Sequence, residues 1–360
     1  MGMNSHSSPF QFLNTCHFSY FTELQDRHWL IIMVETLILL SIFLASVVGN
    51  VYAMVRVFRR KRMVNHIFFT LNLFVADLLF TSMIPFVIAA RWTTGWWLGS
   101  ATCRMMFYVL CMSGCVVIVT LAAISLDRVL AILKLRTMQP FNSRVASGTV
   151  ALIWIVSAIA MMPMCLFFKV TGIMSPQQEV IEICTLIFPN IAIEFLWNIT
   201  FTCFGFVIPG TVIVVSYSRI LQIRKSSLRR IQRRSNTSNR ATQPISRHDY
   251  LLFRTLLILM VSFFLTWGPM FIIDILLLSQ NFHINISVSP CLFFWVFTFT
   301  LANSVLNPVL YCLCQFRRSW HRMCCATEVS PLKRPPDCNE QRTGSPSPEI
   351  SIVCQKGDLD

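Results

Sequence analysis

The sequence predicts an all-α membrane fold: a bundle of seven transmembrane helices with a short amphipathic eighth helix, an extracellular N-terminus and a cytoplasmic C-terminus. Three observations predict it. Hydrophobic residues make up 55% of the chain and charged residues 13%, too few charges to cover an ordinary globular surface. The apolar residues fall in seven blocks long enough to cross a hydrocarbon core, since about 20 residues rising 1.5 Å each span roughly 30 Å. The basic residues gather on one side of those blocks.

In order, the blocks run over 29–57, 66–90, 100–133, 146–168, 194–223, 249–279 and 289–313. Trp92, Trp96, Trp97 and Trp197 sit at block ends, where interfacial aromatics belong. The net charge is +14, from 30 Lys and Arg against 16 Asp and Glu. Only Arg27, Arg91, Arg104 and Lys169 lie on the N-terminal side of this topology; the rest follow the positive-inside bias. The charge is read as topogenic, and no nucleic-acid partner is expected. Residues 1–28 form an extracellular segment without the apolar core of a cleavable signal, so the first helix should act as its own anchor. Residues 29–314 make the membrane domain, 315–325 the surface helix, and 326–360 a tail whose charge, Ser and Pro predict disorder.

The fourteen cysteines sort by compartment. Cys111, Cys115, Cys165, Cys203, Cys312 and Cys314 lie in or at the ends of apolar blocks and read as small hydrophobes. Cys16, Cys103, Cys184 and Cys291 lie on the oxidising side and are candidates for pairing. Cys324, Cys325, Cys338 and Cys354 are cytoplasmic.

Ionisable groups inside the bilayer are expensive, so each asks for a reason. Asp77 stands mid-block in LNLFVADLLF, with Asn50, Asn303 and Asn307 available at comparable depth on other helices. It reads either as part of a structural polar network or as a cation-binding switch, sodium being the candidate ion. Asp127-Arg128 closes the third block, and Asp249 opens the sixth on the same side, so an Arg128–Asp249 pair is expected to tie two helices. Pro85, Pro163, Pro209, Pro269 and Pro308 interrupt five helices, where kinks line cavities and serve as hinges. A transporter would carry inverted repeats and a membrane enzyme paired catalytic groups at one depth; the sequence has neither, and no cofactor is expected.

Gly49-Asn50, Asp77, Cys103, Asp127-Arg128-Val129, Trp154, Pro209, Tyr217, Trp267-Gly268-Pro269 and Asn307-Pro308-Val309-Leu310-Tyr311 occur in this order on successive helices. Over about residues 30–325 this pattern resembles the rhodopsin-like G-protein-coupled receptors. The resemblance implies a Cys103–Cys184 disulfide and a relay of Ile118, Pro209 and Phe263 beneath a ligand pocket floored by Trp267. It also implies that activation frees Arg128 from Asp249 while Tyr217 and Tyr311 swing toward it. Val117 departs from the pattern, because many members have a hydroxyl there to help hold sodium beside Asp77. Leu110 replaces the acid of amine receptors, and no Lys lies in the seventh block to bind retinal.

The stretches FVADLLFTSMIPFVIAARWTTGWWLG, IEICTLIFP and CLFFWVFTFTLANSVLNPVLY are similar to the long-chain fatty acid receptors within that family. That similarity implies a long-chain free fatty acid ligand and heterotrimeric G proteins of the Gq class, with Gi as the alternative. It further implies beta-arrestin and a plasma-membrane location with endosomal internalisation. Phe80, Phe107, Trp197, Phe201, Trp267, Met270, Phe293 and Phe294 are the expected ligand-binding walls, an apolar tube suited to an unsaturated chain. Arg91 is the expected carboxylate anchor, unless it is locked to Glu35, the acid on the neighbouring helix. Asp274 and Gly205 depart from those receptors at pocket positions. QFRRSWHRMCC reads as a surface helix contacting membrane lipids, with Cys324 and Cys325 as palmitoylation sites. Thr343, Ser345, Ser347 and Ser351 are the expected phosphorylation array for arrestin. Cys16–Cys291 is a candidate second disulfide.

Overall fold

A computed structural model describes residues 18–22, 28–59, 66–134, 143–174, 180–235, 247–280 and 288–312. Among them, seven helices are long and apolar enough to cross a membrane: α1 (Trp29–Phe58), α2 (Ile67–Arg91), α3 (Gly99–Leu130), α4 (Arg144–Phe167), α5 (Ile191–Ile223), α6 (Met260–Ser279) and α7 (Pro290–Cys312). The apolar span of α6 belongs to a longer helix, Arg247–Gln280. α3 is the most buried of the seven and α1 the least, so the bundle is assembled around α3. The face bearing the few basic residues is termed outer.

Helix starts follow from side-chain chemistry. Asn190 Oδ1 accepts from the Ile193 N–H at 2.9 Å before α5, and Ser289 Oγ from the Leu292 N–H at 3.1 Å before α7. Interruptions follow from proline. α2 breaks between Thr81 and Ile84, with Pro85 in the next first turn; α4 breaks at Met161, ahead of Pro163. In α5 the turn before Pro209 is a π-helix, Cys203–Val207, closed by the Ile208 N–H on the Cys203 carbonyl.

In hydrocarbon a carbonyl freed by proline needs a donor from elsewhere. Pro308 withholds the N–H that would reach Ser304. Asn50 Nδ2 on α1 supplies it instead, at 3.0 Å from the Ser304 oxygen. The two helices meet closely here, because a Cβ on Gly49 would stand 3.1 Å from Pro308 Cγ. On the far side of the bundle, Trp154 Nε1 donates to Asn72 Oδ1 at 2.6 Å and Asn72 Nδ2 to Thr120 Oγ1 at 2.7 Å, joining α4, α2 and α3.

The sequence predicts helices alone, yet the segment after α4 folds as a hairpin. β1 (Phe168–Met174) pairs antiparallel with β2 (Val180–Leu186), Val170 opposite Cys184. Cys184 and Cys103 form the expected disulfide, with 5.8 Å between Cα atoms. The hairpin also receives the Trp96 N–H at the Glu182 carbonyl, 2.6 Å away. Gly95 lets the two backbones approach, since a Cβ there would lie 3.0 Å from Ile181 Cγ2. This corrects one interfacial expectation: Trp96 is buried rather than displayed to the bilayer surface, whereas Trp92 and Trp97 are exposed.

Asn50→Leu removes the one side-chain donor on the Ser304 carbonyl among the described residues and should cost about 1–3 kcal/mol. The expected outcome is a lowered thermal midpoint of the detergent-solubilised receptor. An unchanged midpoint would mean that another donor takes over.

Candidate functional site

Between the outer halves of α3, α5, α6 and α7 lies a cavity of about 590 Å³, open solvent at its mouth included. Trp267 and Ile118 lie at its deep end, and Phe80, Phe201, Phe271 and Phe297 supply aromatic walls. Two glycines create the room. A Cβ on Gly114 would stand 3.1 Å from Trp267 Cη2, and one on Gly205 would stand 2.9 Å from Phe271 Cζ. Gly205, which departs from the long-chain fatty acid receptors in sequence, thus faces a ring that fills the space a side chain would need.

The expected ligand residues divide into three groups. Phe80, Phe201, Trp267 and Met270 line the cavity, and Trp197 stacks on Phe201 with centroids 6.0 Å apart. Phe107 and Phe293 belong to an aromatic stack nearer the outer face. Phe107 stacks on Phe168 at 3.8 Å and on Phe21 at 5.4 Å, while Phe293 meets Phe18, Tyr20 and Phe21 edge-on. Residues 18–22 are therefore packed into the bundle rather than loose above it. Burial, and then the Asp274 charge, push the Tyr20 phenol above its ordinary pKa, so it stays protonated. Phe294 is drawn away from the cavity, under the Arg91 guanidinium at 4.2 Å.

Arg91 and Glu35 pair with each other, both about 1% exposed at the side chain. Arg91 Nε and Nη2 donate to the two Glu35 oxygens at 2.9 and 2.8 Å, and Nη1 donates to the Phe21 carbonyl at 2.9 Å. The guanidinium fork is thus committed to holding α1, α2 and the N-terminal segment together.

Deeper, Asn307 Nδ2 donates to Asp77 Oδ2 at 2.8 Å, while Asp77 Oδ1 and Asn50 Oδ1 are buried without hydrogen-bond partners. Asn303 instead accepts from Thr266 Oγ1 at 3.3 Å, tying α7 to α6. The unpaired Asp77 oxygen fits one ligand position of a small cation, but Val117 adds no oxygen, which leaves the donor set short. Ile118, Pro209 and Phe263 are buried in the core. At the inner end Tyr217 packs with Val129 and Ile220, and Tyr311 with Phe74 at 5.5 Å, so the two tyrosines occupy separate clusters. Asp127 and Arg128 are half-buried and engaged. The Asp249 side chain, Cys16, the amphipathic segment 315–325 with Cys324 and Cys325, and Thr343, Ser345, Ser347 and Ser351 lie outside the described residues.

Periodicity would have found part of what sequence reasoning missed. Leu110, Gly114 and Ile118 recur every four residues on α3, and Phe271 follows Trp267 by one turn. Nothing in the sequence distinguishes Phe18, Tyr20 and Phe21 as bundle residues beyond their aromatic density.

The chain matches the 7 transmembrane receptor (rhodopsin family) over residues 49–311. It is 45% identical to free fatty acid receptor 4 of Rattus norvegicus over 317 residues, covering 87% of this chain and 88% of that receptor. The same figures hold for free fatty acid receptor 4 of Mus musculus. Somatostatin receptor type 2 of Mus musculus is 27% identical over 310 residues, covering 82% and 78% of the two chains. With the seven spanning helices and the Cys103–Cys184 bond in place, the chain is a multi-pass membrane protein and belongs to the rhodopsin family of seven-transmembrane receptors.

Proposed function

We propose that this receptor detects long-chain free fatty acids at the plasma membrane. It passes the signal to heterotrimeric G proteins of the Gq class, and then to beta-arrestin with internalisation into endosomes. The observation that carries the reading is the cavity above Trp267, whose walls are apolar apart from Asp274, Thr300 and the thiols of Cys111 and Cys115. The relatives named free fatty acid receptor 4 support the same ligand class. Each buried methylene contributes about 0.8 kcal/mol, so a dozen add on the order of 10 kcal/mol before the costs of association. Chain burial thus supplies the affinity and the head group sets orientation. Movement of the chain against Trp267 would pass to Ile118, Pro209 and Phe263 beneath it, and from there to Arg128, Tyr217 and Tyr311 at the G-protein face.

The response should therefore rise with acyl length to roughly sixteen to twenty carbons and vanish for short acids. Calcium mobilisation across a graded series measures this; a receptor that answers butyrate better than the long acids refutes the reading.

Arg91 acts in this proposal as a structural lock, not as the head-group anchor. Arg91→Met alone leaves the buried Glu35 without its guanidinium, which costs about 3–5 kcal/mol, and surface expression should fall. The double change Glu35→Leu with Arg91→Met removes both charges and should restore expression together with the fatty acid response. A well-expressed double variant that is deaf to every acid would return Arg91 to the role of anchor.

The expected Arg128–Asp249 pair holds the inner face closed. A partly exposed pair contributes roughly 1 kcal/mol or less, so Asp249→Asn should raise ligand-independent G-protein dissociation only a fewfold. An unchanged basal level at matched surface density would assign the closed state to other contacts.

A further inference from the structure

Asp274 is the one carboxylate lining the cavity. It stands seven residues beyond Trp267 on α6, about 10 Å nearer the outer face at 1.5 Å per residue. Leu110, Phe201, Met270 and Phe271 share the cavity wall and donate no hydrogen bond from their side chains, and Cys111 offers only a weakly donating thiol. Its Oδ2 is shut off from solvent and has no hydrogen-bond partner. The Tyr20 phenol senses the Asp274 charge but does not bond that oxygen. An orphaned acceptor on an apolar wall is costly unless an occupant supplies the donor.

The occupant's own carboxylate does not qualify. When ionised it carries no proton to donate, and two carboxyl groups side by side disfavour each other's charged form. What fits is a neutral donor on the aliphatic chain. We propose that the cavity recognises fatty acids bearing a hydroxyl partway along the chain, the hydroxyl donating to Asp274. This rests on the fatty-acid reading and narrows it. A site with a buried polar group penalises the ligand that lacks the matching hydroxyl, so the discrimination works against plain acids as well as for hydroxylated ones.

The test compares four probes on the full-length receptor in cells: oleic acid, ricinoleic acid (its mid-chain hydroxyl derivative), 2-hydroxyoleic acid and oleylamine. The readout is the half-maximal concentration for G-protein dissociation at matched surface density. Ricinoleic acid should be roughly tenfold more potent than oleic acid, the scale of one well-made buried hydrogen bond. 2-Hydroxyoleic acid, with its hydroxyl beside the carboxylate, should gain nothing. Asp274→Leu should collapse the ricinoleic-to-oleic ratio to about one, whereas Asp274→Asn, which keeps an acceptor, should preserve a reduced preference. Equal potency of the two acids on the parent receptor overturns the proposal while leaving the fatty-acid reading standing. So does a ratio that survives Asp274→Leu, or an equal gain from 2-hydroxyoleic acid. Oleylamine acting through Asp274 more potently than ricinoleic acid replaces the hydroxyl with an ammonium and overturns the proposal as stated. Silence toward every acid overturns the fatty-acid reading and this inference with it.

Discussion

A helix in hydrocarbon has no water with which to satisfy a backbone group that its own ladder leaves open, and the arrangement of this bundle depends on that constraint. A proline opens such a group, and at Pro308 the opening is met from a neighbouring helix. Asn50 reaches across from α1 to the Ser304 carbonyl that Pro308 exposes. Thr300 reaches from α7 to the Thr266 carbonyl at 2.9 Å, one residue from the carbonyl that Pro269 leaves without its ladder donor. In α5 the ladder itself slips to the wider π pattern ahead of Pro209. Contacts that satisfy the backbone are therefore also the contacts that fix where α1, α6 and α7 stand. The chain gets its hinges and its interhelical bonds from the same residues.

The cavity follows from that placement combined with two absent side chains. Gly114 lets Trp267 lie against α3, and Gly205 lets Phe271 lie against α5, so large rings sit beside bare backbone. Nearer the outer face, the Glu35–Arg91 pair holds α1 to α2 and pins the Phe21 carbonyl, which brings residues 18–22 into the aromatic stack. A buried ion pair is weak as a source of net stability, since desolvation consumes most of the attraction. Its value here is positional. The disulfide and the Trp96 bond do the same for the hairpin, leaving a roof built from three separate stretches of chain.

Much of this was legible in the sequence, for identifiable reasons. Seven apolar blocks and a one-sided charge distribution set the fold, because bilayer thickness and insertion energetics leave few alternatives. Asp77 drew attention as a charge where charges are expensive, and Asn307 proved to be its partner. Glu35 is the rival of a ligand carboxylate for Arg91, and the two residues are paired. The hairpin was not legible, because its strands lie in a loop whose pairing is decided by a disulfide and by contacts to Trp96. Nor was the division of the aromatics: Phe80 and Phe107 look alike in sequence, yet one lines the cavity and the other is stacked between Phe21 and Phe168. Which of two phenylalanines faces a space depends on what a distant segment puts beside it.

The π turn at Cys203–Val207 carries one residue more than the α pattern needs. Loss of any single residue there would let α5 relax to regular helix without breaking its span, so the change is cheap for insertion and folding. The wider turn absorbs that residue, so its loss would leave the α-helical stretches on either side in nearly the same rotational register. Trp197 and Phe201 would keep their faces while Pro209 and Tyr217 kept theirs. A one-codon deletion at this turn is thus a change that the rest of the helix hardly feels, confined to the stretch of wall where bare backbone at Gly205 meets the Phe271 ring.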